Sequence, residues 1–328
     1  MTDSGEAFAL SSELLLAGDR HTLTKAISAA ENGSAAAVAL AREARMKRPP
    51  HAGVVGITGP PGAGKSTLVS AMITKFREAG QRVGVLLIDP SSAATGGAVL
   101  ADRVRLRRQP QDSGLFVRSV AARGHPGGVT SATTVVIELL DAWGADIVLV
   151  ETVGAGQGEI DIASRAHVTV VVCPPGLGDD LQAMKAGLME IADVFVVNKA
   201  DLPGADATVA SLRVAGLGGR DRSERRVLKT IATQSAGVSE LVQEITQRLA
   251  TGPQSTDAAA LSPGAATRQV AAAAAERART FVTARSQELA PVIEAVVTRH
   301  LTVDEAAVKA LHHLCHEAEY STTPASAP

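Results

Sequence analysis

The sequence is poor in aromatic residues, in cysteine and in long apolar runs. Aromatic side chains make up 2% of the 328 residues although apolar residues make up 45%, so the core must be built from aliphatic side chains. The two cysteines, Cys173 and Cys315, exclude a disulfide framework and fit a reducing compartment. No run approaches the roughly 20 apolar residues of a membrane helix, and the first residues lack the pattern of a secretory signal. We therefore expect a soluble cytoplasmic protein without a membrane partner.

An excess of charge of either sign is also missing. The 32 basic and 34 acidic residues give a formal net charge of −2, which excludes a general attraction to nucleic acid or anionic membranes. Arginines do cluster locally, but no aromatic residues are interleaved with them, as nucleic-acid surfaces require. We interpret this cluster as a switch loop or partner surface: Arg103, Arg105, Arg107 and Arg108.

Short, β-branched apolar runs alternate with helical patterns through the middle of the chain. Continuous apolar strands of this kind are typical of a mostly parallel sheet that helices cover on both faces. The sequence therefore predicts an α/β fold with six strands, at Gly53–Thr58, Val83–Ile88, Leu115–Val120, Asp146–Val150, Val168–Cys173 and Val194–Asn198.

Changes in composition divide the chain into five segments. An N-terminal helical extension, broken at Gly18-Asp19 and Asn32-Gly33, precedes the strand-rich part, and Ser34 is expected to cap its last helix. Near the other end, Thr302 and Glu305 have the spacing of a capping box. We predict the extension at 1–48, a nucleotide-binding domain at 49–250, a flexible linker at 251–267, a C-terminal helical segment at 268–320 and a disordered tail at 321–328.

A phosphate-binding loop follows the first predicted strand and precedes an amphipathic helix. Residues 59–66 match G-x-x-x-x-G-K-[ST], in which glycines let backbone N–H groups curl around a phosphate at the positive end of a helix. Lys65 would contact the β- and γ-phosphates, and the Ser66 hydroxyl would bind Mg²⁺. The motif predicts a P-loop NTPase sheet with nucleotide contacts from Gly59, Pro60, Pro61, Gly62, Ala63, Gly64, Lys65, Ser66 and Thr67.

A second motif selects guanine. Asn198-Lys199-Ala200-Asp201 follows the last predicted strand, and one carboxylate at Asp201 can accept both the N1–H and the 2-amino group of guanine. Adenine offers no such pair of donors, so it would leave that carboxylate unsatisfied. Asn198 would bridge the base and the phosphate loop, the Lys199 stem would pack on the purine, and the Ala232 N–H would meet guanine O6. We therefore predict GTP and GDP as ligands.

Acidic residues at strand ends are candidates for the magnesium site. Glu151 ends the strand Asp146–Val150, and Asp89 ends the second strand. Asp102 lies in a Gly- and Ala-rich loop between the second and third strands. We predict that Mg²⁺ is bound, directly or through a neighbouring ligand, by Ser66, Asp89, Asp102 and Glu151. The Gly154 N–H is expected to contact the γ-phosphate.

Several blocks together resemble the MeaB/ArgK family, G proteins associated with methylmalonyl-CoA mutase. The resemblance extends from about Leu14 to Leu249. It is carried by Asp89-Pro90-Ser91-Ser92, Thr95-Gly96-Gly97, Asp102-Arg103-Val104-Arg105, Val150-Glu151-Thr152-Val153-Gly154-Ala155-Gly156-Gln157 and Gly178-Asp179-Asp180-Leu181-Gln182-Ala183-Met184-Lys185-Ala186-Gly187.

The resemblance implies a GTP-hydrolysing chaperone of an adenosylcobalamin-dependent acyl-CoA mutase, which gates cofactor loading and protects the mutase. It implies a homodimer through the C-terminal helices, and catalytic roles for Lys65, Asp102, Glu151 and Gly154. Gln157 lies three residues beyond Gly154 rather than next to it, so we expect slow hydrolysis without a partner. The loop that couples nucleotide state to the mutase would contain Asp179, Asp180, Gln182 and Lys185.

Three alternatives stay open at this stage. A nickel or cobalt metallocentre GTPase would need soft ligands. His312, Cys315 and His316 have the helical spacing of a metal site, although an interface or solvent exposure explains them as well. A kinase or ATPase of basic amino-acid transport is disfavoured by the guanine motif. A scaffold that only binds nucleotide would show negligible turnover even with its partner.

Overall fold

The computed structural model describes most of the chain. It covers residues 10–89, 112–121, 131–152, 165–176, 191–216, 226–251, 287–298 and 300–321, with a few single positions between 252 and 286. The chain divides into two compact units, Met1–Ala260 and Leu261–Pro328. The predicted linker lies mostly outside the described residues, so the five-segment division remains a prediction.

The first unit contains a seven-stranded sheet in which every pair of neighbouring strands is parallel. The spatial order is β3-β2-β4-β1-β5-β6-β7. This confirms the predicted α/β class and the six predicted strands to within a residue at each end. The strands are Gly53–Thr58 (β1), Val83–Asp89 (β2), Leu115–Ala121 (β3), Ile147–Glu151 (β4), Val168–Cys173 (β5), Val194–Asn198 (β6) and Arg226–Thr230 (β7).

The seventh strand, β7, was not predicted. It lies at the edge of the sheet, where Arg226 and Lys229 are exposed and Leu228 and Thr230 are buried. An edge strand with one solvated face has no continuous apolar run, which was the signal that revealed the other six.

Helices flank the strands as the sequence indicated. The predicted breaks at Gly18-Asp19 and Asn32-Gly33 separate the first three helices, and the Asp19 carboxylate caps the second by accepting from the Thr22 N–H at 2.7 Å. Ser34 occupies the cap position of the third helix, but its side chain makes no capping hydrogen bond. Within its described residues, the α-helices of the first unit are Ser12–Leu16 (α1), Arg20–Glu31 (α2), Ala35–Lys47 (α3), Lys65–Glu78 (α4), Ser131–Trp143 (α5), Ala205–Gly216 (α6) and Val238–Thr251 (α7).

The N-terminal helices form a layer that covers one face of the sheet. Helices α1–α3 and α5 share one apolar cluster with β1–β4, whereas α4 and α7 cover the opposite face in a second cluster. Trp143 joins the layers, because its indole N–H donates to Gly18 O at 3.0 Å and its ring lies 5.9 Å from that of Phe116. The segment predicted as an extension is thus packed against the sheet as part of its core.

Two helices have their bounds within the described part of the second unit, Ala290–Val297 (α8) and Val303–Ser321 (α9). The predicted capping box is confirmed at the start of α9. The Thr302 N–H donates to Glu305 Oε2 at 2.9 Å, and the Glu305 N–H donates to Thr302 Oγ1 at 3.2 Å. Among the described residues, no helix has the length and apolar character needed to cross a membrane.

A histidine directly before β5 is expected to make the stability of the sheet depend weakly on pH, although the residue is exposed at the surface. The Val54 N–H donates to His167 Nδ1 at 3.0 Å, which requires a neutral ring. Partial desolvation of the ring lowers the pKa of His167, because it disfavours the imidazolium, while the charge of Asp141 acts in the opposite direction. As pH falls below about 6.5, the unfolded chain therefore binds more protons than the folded chain, and the free energy of unfolding should fall slightly, because solvent screens this exposed side chain.

Urea unfolding at pH 7.5 and 5.5 would measure this loss. His167→Asn supplies an acceptor that does not titrate, so we expect it to lose much of the pH dependence between these values. An equal pH dependence in the variant would contradict the assignment to His167.

Candidate nucleotide-binding site

The phosphate loop connects β1 to α4 at the carboxyl edge of the sheet, next to β5. Gly59, Gly62 and Gly64 all have positive φ. A Cβ at Gly59 would lie 2.0 Å from the Val172 carbonyl oxygen, and one at Gly64 would lie 2.4 Å from the Asn198 amide nitrogen. Glycine is therefore required at both positions by conformation and by space. Ligand sites of parallel sheets lie at this edge.

Lys65 is the first residue of α4 and is buried. Its Nζ donates to Gly59 O at 2.7 Å and to Pro60 O at 3.0 Å. The ammonium is thereby held against the loop at the positive end of the helix dipole, a position suited to a phosphate anion. Thr67 lies in the same first turn of α4 and is partly buried.

Ser66 and Glu151 meet across the loop. The Ser66 hydroxyl donates to Glu151 Oε1 at 2.5 Å, and Glu151 is the buried last residue of β4. A hydroxyl beside a carboxylate is a pair of hard oxygen donors, which is the ligand chemistry of Mg²⁺. Asp89 is the last residue of β2, but its side chain is outside the described residues, as are Asp102 and Gly154.

Asn198 links the phosphate loop to β7. Its amide nitrogen donates to Ala63 O at 3.0 Å and lies 3.5 Å from Gly64 O. Its oxygen accepts from the Thr230 hydroxyl at 3.0 Å and from the Ala232 N–H at 3.1 Å. The Ala232 N–H thus meets Asn198, and its contact with guanine O6 remains a prediction.

The rest of the guanine motif lies in the turn between β6 and α6. Lys199 has a φ of 58°, and its Nζ donates to Gly62 O at 2.7 Å, a second link to the phosphate loop. The Ala200 N–H donates to Thr230 O at 3.1 Å. Asp201 is exposed in this turn. The described site therefore combines a glycine-rich loop with a buried lysine, a paired hydroxyl and carboxylate at Ser66 and Glu151, and an exposed carboxylate at Asp201.

Comparison with known proteins identifies the family. The model of the family described as methylmalonyl Co-A mutase-associated GTPase MeaB matches residues 23–288. The chain belongs to the MeaB family. This confirms the resemblance seen in the sequence motifs.

Several curated relatives agree with this family. A Pyrococcus horikoshii relative is 47% identical over 238 residues, which cover 71% of this chain and 75% of the relative. GTPase ArgK of Escherichia coli is 38% identical over 187 residues, 56% of each chain. The mouse methylmalonic aciduria type A homolog, mitochondrial, is 36% identical over 197 residues, 60% of this chain and 48% of the relative.

The fold also matches a crystal structure described as an LAO/AO transport system kinase. The TM-score is 0.64 at 22% identity, over 92% of this chain and 96% of the other. The relatives and the P-loop fold together confirm the predicted class of enzyme, a GTPase, and its guanine nucleotide ligand. The roles of individual site residues remain predictions.

Some predicted residues of this MeaB-family chain lie outside the described part. These are the predicted coupling residues Asp179, Asp180, Gln182 and Lys185, and the arginine cluster at 103–108. His312 is exposed on α9, whereas the side chains of Cys315 and His316 are not described. The described residues contain no cluster of His, Cys, Asp and Glu that could hold a metal ion.

Thr230 belongs to the segment expected near guanine O6, but the sequence assigned no role to its side chain. It is buried at the end of β7 directly opposite Asn198, and its hydroxyl orients the amide of Asn198. A prediction of β7 as a strand would have indicated this pairing, because the last residues of the neighbouring parallel strands β6 and β7 lie at the same edge of the sheet.

Thr230→Val should weaken both the fold and the nucleotide site. The substitution keeps the shape but leaves Asn198 without one of its donors, at a cost of about 1–3 kcal/mol in unfolding free energy. We expect a several-fold loss of GDP affinity in addition. Urea unfolding and GDP titration would measure the two effects, and Thr230→Ser, which keeps the hydroxyl, should stay close to the parent protein. A valine variant indistinguishable from the serine variant would refute the role.

Proposed function

We propose that this MeaB-family GTPase is a chaperone of an adenosylcobalamin-dependent acyl-CoA mutase of the methylmalonyl-CoA mutase type. It would use GTP to gate loading of the mutase cofactor and to protect the mutase from inactivation. The match of the MeaB family model over residues 23–288 carries the assignment of the partner. Asn198 links the phosphate loop to β7, so that the predicted phosphate and base sites are connected in one structure. This link supports nucleotide binding as part of the proposed function.

Magnesium fits the donor set of the site. Ser66 and Glu151, held 2.5 Å apart, would bind it, with Asp89 and Asp102 as further candidates. The bound ion would supply positive charge that offsets the negative charge on the β- and γ-phosphate oxygens.

The chain's own residues support hydrolysis by in-line attack of water on the γ-phosphate. Backbone N–H groups of the phosphate loop and the Lys65 ammonium would stabilise the charge that develops on the transferred group. Asp201 and Asn198 would hold the guanine base and so fix the position of the phosphates relative to the phosphate loop. We expect slow turnover by the protein alone, with a partner supplying or ordering the missing element, as GTPase activators do.

The test is GTP turnover by the purified protein with and without a candidate mutase. Methylmalonyl-, isobutyryl-, ethylmalonyl- and 2-hydroxyisobutyryl-CoA mutases are the partners to try. Stimulation of about tenfold, equal to about 1.4 kcal/mol of activation free energy, would support the proposal and identify the partner. Light scattering on the same samples would test the proposed homodimer.

An absence of stimulation would test the proposed partner class. Tight GTP binding with no stimulation by any of these mutases would refute the proposed partner class while leaving the GTPase intact. Metal analysis of the purified protein would then test the metallocentre alternative.

A further inference from the structure

Two buried threonine hydroxyls meet where β1 and β4 end. Thr58 and Thr152 have 0% and 4% of their surface exposed. The Thr152 hydroxyl donates to Thr58 Oγ1 at 3.0 Å, and the Thr152 N–H donates to Ile57 O at 3.0 Å. These contacts are separate from the phosphate loop itself, and no step of the proposed hydrolysis uses them.

The pair is adjacent in the sequence to the phosphate loop and to Glu151. Thr58 directly precedes Gly59, the first residue of the phosphate loop, and Thr152 directly follows Glu151. The last paired residues of β1 and β4 are Ile57 and Glu151. The hydroxyl contact therefore reinforces the backbone hydrogen bond between Thr152 and Ile57 and aligns the end of β4 with the last residue of β1.

Hydroxyls at these positions are unexpected on packing grounds. The neighbouring residues of β1 and β4 are almost all aliphatic and buried, and valine has nearly the shape of threonine. A buried hydroxyl costs about 1–3 kcal/mol when it lacks a partner, whereas two valines would pack there without that risk. A hydrogen bond adds direction, since it fixes the distance and orientation of its two partners.

We propose that the Thr58–Thr152 pair positions Glu151 for the divalent cation. By holding the end of β4 against the start of the phosphate loop, the pair keeps Glu151 Oε1 within 2.5 Å of Ser66 Oγ. Thr58 and Thr152 thereby act as positioning residues that set the Mg²⁺ requirement of nucleotide binding. This inference rests on the proposed roles of Ser66 and Glu151, and it is independent of the mutase.

The test measures GDP affinity as a function of Mg²⁺ concentration and again in EDTA. The variants are Thr152→Val, the double variant Thr58→Val/Thr152→Val and Thr152→Ser, which restores the hydroxyl. Thr169→Val is the matched control, because Thr169 is a buried threonine near the start of β5, away from the phosphate loop. Urea unfolding of each variant reports the stability of the fold.

We expect the double variant to need about tenfold more Mg²⁺ for half-maximal tightening of GDP binding, or about 1.4 kcal/mol. Its affinity in EDTA and its unfolding midpoint should stay near those of the parent protein, because removal of both partners leaves no unsatisfied hydroxyl. Thr152→Ser and Thr169→Val should keep the original Mg²⁺ requirement.

An unchanged Mg²⁺ requirement in the folded double variant would overturn the proposal, since the pair would then serve packing alone. A parallel loss of affinity with Mg²⁺ and in EDTA would overturn it too. Ser66→Ala tests the underlying assumption: it should abolish the Mg²⁺ effect, and a full effect in this variant would remove the proposed metal role itself. Failure of the mutase experiment leaves all of these outcomes unaffected.

Discussion

Replacement of Lys65 by alanine is expected to lower kcat/KM for GTP by about 1000-fold or more. The Lys65 ammonium is buried and held by the carbonyl oxygens of Gly59 and Pro60, so it is preorganised beside the predicted position of the β- and γ-phosphates. A charge that is already in place costs no reorganisation when negative charge develops on the phosphoryl group. Alanine removes that charge, and its short side chain cannot replace it.

A second lysine of the same helix provides the control for this prediction. Lys75 lies near the other end of α4 and pairs with Glu78 at 2.7 Å on the surface. Lys75→Ala also removes one positive charge from α4, but we expect it to keep kcat/KM within about twofold, because exposed ion pairs contribute little. Single-turnover measurements with saturating protein would show whether the Lys65 variant loses chemistry or binding. Equal kinetics in the two variants would refute the role of Lys65.

Replacement of Asp201 by asparagine is expected to change the base that the protein binds. The carboxylate would accept the N1–H and the 2-amino group of guanine, whereas an amide offers one acceptor and one donor group. GTP affinity should fall about 100-fold or more, because the donor amide would face the 2-amino group. Xanthine carries a 2-oxo group in that position, so the variant should bind xanthosine triphosphate more tightly than GTP.

Competition between the two nucleotides in a displacement assay would measure this reversal. Asp206 is a suitable control, since it is an exposed carboxylate in the first turn of α6 that pairs with Lys229. Asp206→Asn should keep the preference for GTP. An Asp201 variant that still prefers GTP would show that another group selects the base.

Features set by short stretches of sequence were predicted well. The phosphate loop, six strands and the capping box at Thr302 each depend on residues that are close together in the chain, so their patterns are visible without the fold. The edge strand β7 was missed because Arg226 and Lys229 interrupt its apolar residues. Ser34 occupies the predicted cap position but makes no capping bond, which shows that position and contact are separate predictions.

Contacts between distant parts of the chain were not predictable in the same way. Thr230 orients Asn198 across 32 residues, and Thr152 meets Thr58 across 94 residues. A threonine in a strand is ordinary on its own, and only the strand order and register give it a partner. The packing of α1–α3 into the core of the sheet was hidden for the same reason, since an apolar helical face does not identify the surface that it covers.

The position of Trp143 has a practical consequence. It is the only tryptophan in the sequence, it is buried, and it contacts the turn after α1 as well as the ring of Phe116 in β3. Tryptophan fluorescence from this protein therefore reports on one place, the interface between the N-terminal helices and the sheet. If the N-terminal helices separated from the sheet, water would reach the indole and shift its fluorescence to longer wavelength. The fluorescence of Trp143 therefore reports whether roughly the first 50 residues are packed against the sheet.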